Sequence, residues 1–419
     1  MLKKWLLGNE QHTKSSSVIW NALGGAINAG QSAIILIFVS HRLGLVTAGM
    51  VTIAYAVAQI FYSIARYGVR NFQVTDVAEQ YSFRDYFRSR VVSLVLTAVI
   101  LVFYLLYGFW GNEDYLFKGM IILEVVILKL IDAFEDVFLG RYQQVGRLDI
   151  GAKIMAVRLV ISTAVICLAV LAGAEIHLSL GLGIIVSVLL DFLLIGRTFS
   201  TVSAKKTASS RKSLGQLLKV CLPLCVGTTL AIYIGNVPKY MINSYMNEET
   251  QAIFGYIMMP VFVIMLLNNF IYQPLIKDLG DLWERKEIRL FWKKVFRQCL
   301  IVIGLTVVIM LIGLTIGLPI LSVMYNADLT GYQKEFAVLF LGGGCYAIAS
   351  YLNVPITTIR RQNFIAIGYG AAAVFALVSG RYFVINGGMM GAAALYLLVN
   401  VLLVAVYGVV LAAGIKKPR

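Results

Sequence analysis

Stretches of about 20 apolar residues, each ended by a short polar break, recur twelve times along the chain. One such stretch, coiled as a helix, spans the ~30 Å hydrocarbon core of a bilayer. They lie at 18–40, 46–66, 90–110, 118–139, 153–173, 178–199, 216–238, 252–274, 295–318, 335–357, 363–383 and 389–411. The pattern predicts an all-α polytopic membrane protein of about 12 transmembrane helices with both termini on one side. The two halves, 18–199 and 216–411, also echo one another. Outward loops three-to-four and nine-to-ten carry Asn112-Glu113-Asp114 and Asn326-Ala327-Asp328. Loops five-to-six and eleven-to-twelve are Gly-rich, and inward loops four-to-five and ten-to-eleven carry Arg141 with Arg147 and Arg360 with Arg361. A parallel repeat of this kind predicts two six-helix bundles around a central cavity. A basic linker at 200–215 would join them, between an N-terminal segment at 1–17 and a tail at 412–419.

Several spans are not apolar all round. Span one places Ser17, Asn21, Gly24, Asn28, Gln31 and Ser32 on one helical face, span seven Thr229, Tyr233, Asn236, Tyr240 and Asn243, and span ten Tyr346, Ser350, Asn353 and Thr357. Span two adds Tyr55, Gln59, Tyr62 and Arg66, and span eight Asn268, Asn269, Tyr272 and Gln273. Such faces avoid lipid, either by hydrogen bonding helix to helix or by lining a wet cavity for a hydroxyl-rich solute such as a sugar. The cavity reading selects Asn28, Gln31, Gln59, Arg66, Tyr233, Asn236, Asn268, Tyr272 and Asn353 as candidate binding residues.

Span four is the strongest electrostatic feature. Glu124, Lys129, Asp132, Glu135 and Asp136 fall within about 140° of helical arc, where charges in a membrane span are costly and either paired or functional. Lys129 and Asp132, three residues apart, can pair along the helix. The remaining acids require cations from neighbouring helices such as Arg66, Arg70 or Arg158, or bound protons, or a bound cation. Glu124, Lys129 and Asp132 are therefore candidates for ion coupling, with a static ion pair as the alternative; Asp191 in span six is a lesser candidate of the same kind.

Composition agrees with the pattern: of 419 residues 59% are hydrophobic and 14% charged, against roughly 25% charged in soluble domains. The net charge of +15 is distributed by side. Arg42, Lys118, Lys239, Lys334 and Arg381 fall in outward loops and Lys129 inside span four, while the other 30 of the 36 Lys and Arg lie on inward segments. Positive charge of this distribution fixes topology, with both termini cytoplasmic, and needs no nucleic-acid partner. Three separated histidines and five cysteines in or beside apolar runs supply no metal or redox motif. There is no P-loop sequence, so energy comes from a gradient or a partner. No outward loop is long enough to be a catalytic domain, and the chain is not expected to be an enzyme. The first apolar run is too long and too polar for a signal peptide. Residues 1–17, with Lys3, Lys4 and Lys14 beside Trp5, Leu6 and Leu7, form either an interfacial helix or a solvated tail.

Specific segments add a resemblance. Asn236-Val237-Pro238-Lys239-Tyr240-Met241-Ile242, the acidic turn Asn247-Glu248-Glu249, and Ala252-Ile253-Phe254-Gly255-Tyr256 resemble the span seven-to-eight junction of Wzx-type polysaccharide flippases. These belong to the multidrug, oligosaccharidyl-lipid and polysaccharide exporter (MOP) superfamily. His41-Arg42-Leu43-Gly44 with Ala48-Gly49, Pro274, and Gly387-Gly388 with Gly391-Ala392-Ala393 are similar to the family pattern as well. The resemblance implies a MATE-like arrangement and transfer of an undecaprenyl-pyrophosphate-linked oligosaccharide repeat unit from the inner to the outer leaflet of a bacterial cytoplasmic membrane, for O-antigen or related surface polysaccharide. Arg66, Arg42 and Lys239 are its candidates for contact with the phosphates, Arg being suited to bidentate binding. No cofactor is expected, and a proton gradient, a sodium gradient or the membrane potential remain the candidate energy sources. The expected partners are the lipid-linked oligosaccharide, membrane lipids, and a polysaccharide polymerase and glycosyltransferases of the same process, around a monomer. A cation-coupled drug or metabolite antiporter of the same superfamily is the alternative, and a polytopic glycan polymerase or ligase a further one.

The charge asymmetry yields a direct test. In a cysteine-free background, a cysteine at Ser209 should label only from the cytoplasm and one at Asn326 only from outside; labelling of position 209 in sealed cells would invert the topology.

Overall fold

The computed structural model describes residues 2–7, 13–76, 79–109, 113–202, 211–272 and 275–415. Among these the chain forms helices and turns and no strand. It packs as two compact units, Met1–Thr229 and Leu230–Arg419, divided within one long helix.

The first unit contains α1 (Leu2–Leu7), α2 (Thr13–Arg66), α3 (Val69–Thr75), α4 (Phe83–Phe109), α5 (Glu113–Gln144), α6 (Leu148–Leu171), α7 (Ile176–Thr198) and most of α8 (Arg211–Tyr245). Spans one and two are merged in α2, whose 54 residues leave helical geometry only at Gly44 (φ 83°, ψ 174°). A straight helix of that length would run about 80 Å, nearly twice the thickness of a bilayer with its headgroups. The chain therefore reverses at this one residue. This combination of angles is essentially restricted to glycine and costs a side-chain-bearing residue about 1–3 kcal/mol.

Helix α2 packs against α5 and α6, and α6 against α7. At one end of the unit Leu6, Val137, Phe138, Tyr142, Ile154 and Leu194 form a buried cluster. The short α1 is docked there: Leu6 is fully buried, Trp5 meets Trp20 edge-on at 5.6 Å, and Lys153 Nζ donates to the Trp5 carbonyl at 3.3 Å. Of the two expectations for the N-terminal segment, a solvated tail does not describe Leu2–Leu7. Helix α4 turns Val95, Val99, Val102 and Phe103 outward, a continuous apolar face suited to lipid and not to water.

The second unit continues from α8 through α9 (Glu248–Met258), α10 (Val261–Tyr272), α11 (Leu275–Glu284), α12 (Ile288–Ile312), α13 (Leu318–Tyr325), α14 (Gln333–Thr358) and α15 (Asn363–Ile415). Span eight, expected as one helix over 252–274, is divided between α9 and α10 at Pro260, because proline lacks the N–H that would continue the ladder. Span nine extends beyond its expected end. A π-turn at Gly313–Gly317 carries α12 into α13, and the helix stops only at Asn326, in a left-handed conformation. Beyond it the Thr330 hydroxyl and amide donate to Asp328 at 2.6 and 3.0 Å, which holds that carboxyl below the usual aspartate range. Its expected counterpart Asn112, the linker residues 203–210, Gln273 and Pro274 lie outside the described residues.

Spans eleven and twelve are merged in α15, which reverses at Gly388 (φ 56°). Eight described segments are long and apolar enough to cross a membrane. Two of them, α2 and α15, each hold two of the expected spans; α5 falls short of the apolar criterion through its charges and α9–α10 through its break.

Two glycines separate conformational from steric demand. At Gly44 a Cβ would meet nothing within 4 Å, whereas at Gly391, just past the α15 reversal, it would lie 1.9 Å from the Phe383 carbonyl oxygen. Gly44→Ala should therefore cost about 1–3 kcal/mol, and Gly391→Ala should lose clearly more folded protein. Thermal melting of the two purified variants in micelles checks the order, and equal losses would contradict it.

Candidate functional site

The charges of α5 meet their partners within the first unit. Asp136 is shared by three guanidinium groups: Arg66 Nε at 3.3 Å, Arg70 Nη1 at 3.1 Å and Arg90 Nη2 at 3.0 Å. These come from the end of α2, from α3 and from α4. Arg90 also donates to the Ala65 carbonyl, which accepts from Ser93 Oγ at 2.7 Å as well. On the preceding turn of α5, Arg158 of α6 contacts Asp132 at 2.7 Å and Glu135 at 2.5 Å, with Asp191 of α7 3.2 Å away. Arg158 Nε is aimed at Glu135, and neither carboxylate oxygen of Asp191 receives a hydrogen bond. Lys129 Nζ completes the network, 2.7 Å from Asp132 and donating to Gln31 at 3.0 Å and Asn28 at 3.3 Å. Gln31 in turn donates to Thr163 at 3.2 Å.

Two sub-sites of opposite balance result. Around Arg158 and Lys129 stand three carboxylates against two cations, while around Asp136 one carboxylate meets three guanidiniums. A cavity of about 220 Å³ touches both, lined by Asn21, Asn28, Tyr62, Arg66, Arg70 and Arg158 together with Asp132, Glu135 and Asp136. Arg90 and Asp136 are almost completely enclosed, but the Arg66 side chain is 35% exposed and lies against the Tyr62 ring, 5.3 Å from its centroid. One carboxylate cannot use all the N–H groups of three guanidiniums, so this end of the cavity has donors to offer an anion.

Of the residues picked out in sequence, Asn28, Gln31, Arg66, Lys129 and Asp132 are brought together here. Glu124 is not: its carboxylate lies 3.0 Å from His177 Nδ1, two helical turns from Asp132. Gln59 is half-buried on α2 and does not line the cavity. Arg42 is exposed beside the Gly44 reversal, and about 33 Å of helix separates that reversal from Arg66, so the two do not share one site.

In the second unit Asn268 is fully buried and serves packing, donating to the Ala347 carbonyl at 2.9 Å and accepting from Gln298 at 3.4 Å. Asn353 donates to the Tyr369 hydroxyl at 3.3 Å. Tyr233, Asn236 and Lys239 share one side of α8, and the side chain of Tyr272 lies outside the described residues.

Arg90 is the member of this network that sequence reasoning missed. It sits at the boundary of span three and reads as one more inward-loop charge. The signal was present in the polar positions Ser89, Arg90, Ser93 and Thr97, one helical stripe that proves fully buried.

No protein-family model matches the sequence, and no curated protein aligns with it. Solved structures do. A mutant of the Vibrio cholerae MATE transporter VcmN superposes with a TM-score of 0.64 at 13% identity, covering 97% of this chain and 98% of that one. The eukaryotic MATE transporter AtDTX14 gives 0.65 at 12% identity, with 98% of each chain covered. An inward-facing multidrug resistance MATE family transporter of the MOP superfamily gives 0.63 at 13% identity, covering 94% and 97%. The chain is thus an all-helical polytopic membrane protein with the fold of the MATE transporters.

The network predicts opposite responses to neutralising its members. Arg158→Met strands buried carboxylates and should cost about 3–5 kcal/mol, whereas Asp191→Asn removes a surplus negative charge and should be neutral or stabilising. Unfolding midpoints of the two purified variants check the contrast; a loss at Asp191→Asn matching that at Arg158→Met would overturn it.

Proposed function

We propose that this chain is a transporter that moves a lipid-linked oligosaccharide repeat unit, carried on undecaprenyl pyrophosphate, from the inner to the outer leaflet of a bacterial cytoplasmic membrane by alternating access. The observation that carries the reading is the guanidinium-rich end of the first-unit cavity, where Arg66 is half-exposed and shares Asp136 with Arg70 and Arg90. A pyrophosphate is a compact polyanion that matches donors in this arrangement. The inward bias of Lys and Arg supports a cavity mouth on the cytoplasmic side, where such a lipid is made, with both termini cytoplasmic. The MATE fold supports transport as the mechanism. Arg42 and Lys239 fall outside this cavity and are not assigned to the pyrophosphate here.

A cation-coupled drug antiporter is the second reading, favoured by the excess of carboxylates around Arg158 and by the multidrug transporter among the similar structures. The proposed flippase works as a monomer alongside glycosyltransferases and a polymerase, with no nucleic acid involved, driven by an ion gradient or the membrane potential.

Arg66→Ala should abolish surface polysaccharide while leaving the protein at normal abundance in the membrane, because it removes charge-assisted hydrogen bonds from a half-exposed site without opening a core cavity. Arg66→Lys should restore only part, since an ammonium lacks the planar fork. Polymer electrophoresis on cells expressing each variant measures both. Normal polymer with Arg66→Ala, together with drug hypersensitivity, would replace the first reading with the second.

A further inference from the structure

Helix α8 carries a second polar feature, far in character from the ion-pair network. Within the second unit its residues Ile234, Val237 and Ile242 are fully buried in the core. At 100° per residue, Tyr233, Asn236, Lys239, Tyr240 and Asn243 fall together in an arc of about 120° on the other side, and all five are half-buried. The rings of Tyr233 and Tyr240 are stacked, with centroids 5.6 Å apart and planes 13° from parallel, so that each covers part of one face of the other, and Tyr233 also packs against the core of the unit. Asn236 turns its Nδ2 back to the Ile232 carbonyl at 3.1 Å, which leaves its Oδ1 to accept a bond from elsewhere. Neither the Tyr233 hydroxyl nor Lys239 has a hydrogen-bond or ion-pair partner among the described residues. Helix α8 contains no Asp or Glu at all. The helix carries span seven on from its expected end at 238 to Tyr245, so Lys239 belongs to the helix and not to a loop. An uncompensated lysine there is retained where it meets a ligand or reaches the interface.

We propose that this face of α8 holds an anionic sugar. The pyranose ring lies against the outer side of the Tyr233–Tyr240 stack, where its C–H groups meet a negative ring face. Its hydroxyls bond Asn236 Oδ1 and the Tyr233 hydroxyl. Its negative charge sits on Lys239 Nζ. That charge is either a carboxylate or a phosphate diester carried by the sugar; both present oxygen anions to the ammonium, and neither is the lipid-linking pyrophosphate, which is assigned to the guanidinium end of the first-unit cavity. The assignment rests on the flippase reading and extends it, since it gives the glycan a contact made by the second unit alone.

The test uses the full-length protein in phosphatidylcholine nanodiscs, free of sugar detergents, with three probes: decyl glucoside, decyl glucuronide and decyl glucosyl phosphate. Binding is read from intrinsic fluorescence. At least one of the anionic probes should bind about tenfold or more tighter than the neutral glucoside, as hydrogen bonds to a charged group imply. Whichever of the two is favoured identifies the source of the charge. Lys239→Gln should erase that preference and Lys239→Arg keep it. Replacing Tyr233 and Tyr240 together by Leu should weaken all three probes about tenfold, while the double Phe replacement, which keeps the rings and loses only the Tyr233 hydroxyl contact, should weaken them by clearly less; unchanged melting temperatures show that both variants fold.

Equal binding of neutral and anionic probes, or an unchanged preference in Lys239→Gln, would overturn the assignment and leave Lys239 as an interfacial anchor. The two proposals fail separately. Probe selectivity with normal polymer in Arg66→Ala cells would sink the flippase reading alone, and loss of polymer there without probe selectivity would sink the sugar face alone.

Discussion

A bilayer supplies no counter-ions, and the first unit is organised around that constraint. Once Lys129, Asp132, Glu135 and Asp136 are placed on one helix, other helices must bring them partners. Asp136 is met from α2, α3 and α4, and Arg158 of α6 gathers Asp132, Glu135 and Asp191 from α5 and α7. Two side chains thereby fix the rotation and depth of most of the unit, more tightly than apolar contacts between helices and lipid could, because lipid tails are as apolar as the residues they touch. The same pairing brings guanidiniums to one end of a cavity and carboxylates to the other. Structure and candidate chemistry therefore share the same residues.

The two units solve the problem of polar groups in a membrane differently. In the first, charge is balanced by charge. In the second, the polar contacts are mainly between neutral amides, phenols and carbonyls: Asn268 bridges α10 to α14 and reaches Gln298 of α12, and Tyr346 donates to the Ala231 carbonyl at 3.4 Å. Neutral groups of this kind are far cheaper to bury than ions. Substitutions of these neutral groups should consequently damage folding less than those around Arg158.

Most of this architecture is legible in the sequence because the solvent imposes it: a span must be about 20 residues long and apolar, and its polar residues must share a face. That logic groups Asn28 and Gln31 with the charges of span four, and Lys129 contacts both. Pairing over long sequence distances is set by packing and is not legible. Glu124 reads as part of the span-four cluster, but an α7 histidine 53 residues later takes it. Arg90 is hidden by its position at a span boundary, where a basic residue ordinarily signals only topology. The break at Pro260 is written in the sequence, and only the continuous run of apolar residues around it disguises it. The π-turn at Gly313–Gly317 has no comparable mark beyond its two glycines.

The reversal at Gly44 bears on how the protein is made. Span one carries Asn21, Asn28 and Gln31, and two of these have their partner in Lys129, which leaves the ribosome about a hundred residues later. At the moment of synthesis that helix has nothing to satisfy its amides and gains little by entering lipid on its own. The segment after Gly44, with Val51, Ile53, Ala54 and Val57 in sequence, is far more apolar. A turn of one residue lets the two enter the bilayer as a single hairpin, the second arm carrying the first, until α5 is inserted and Lys129 reaches the waiting amides.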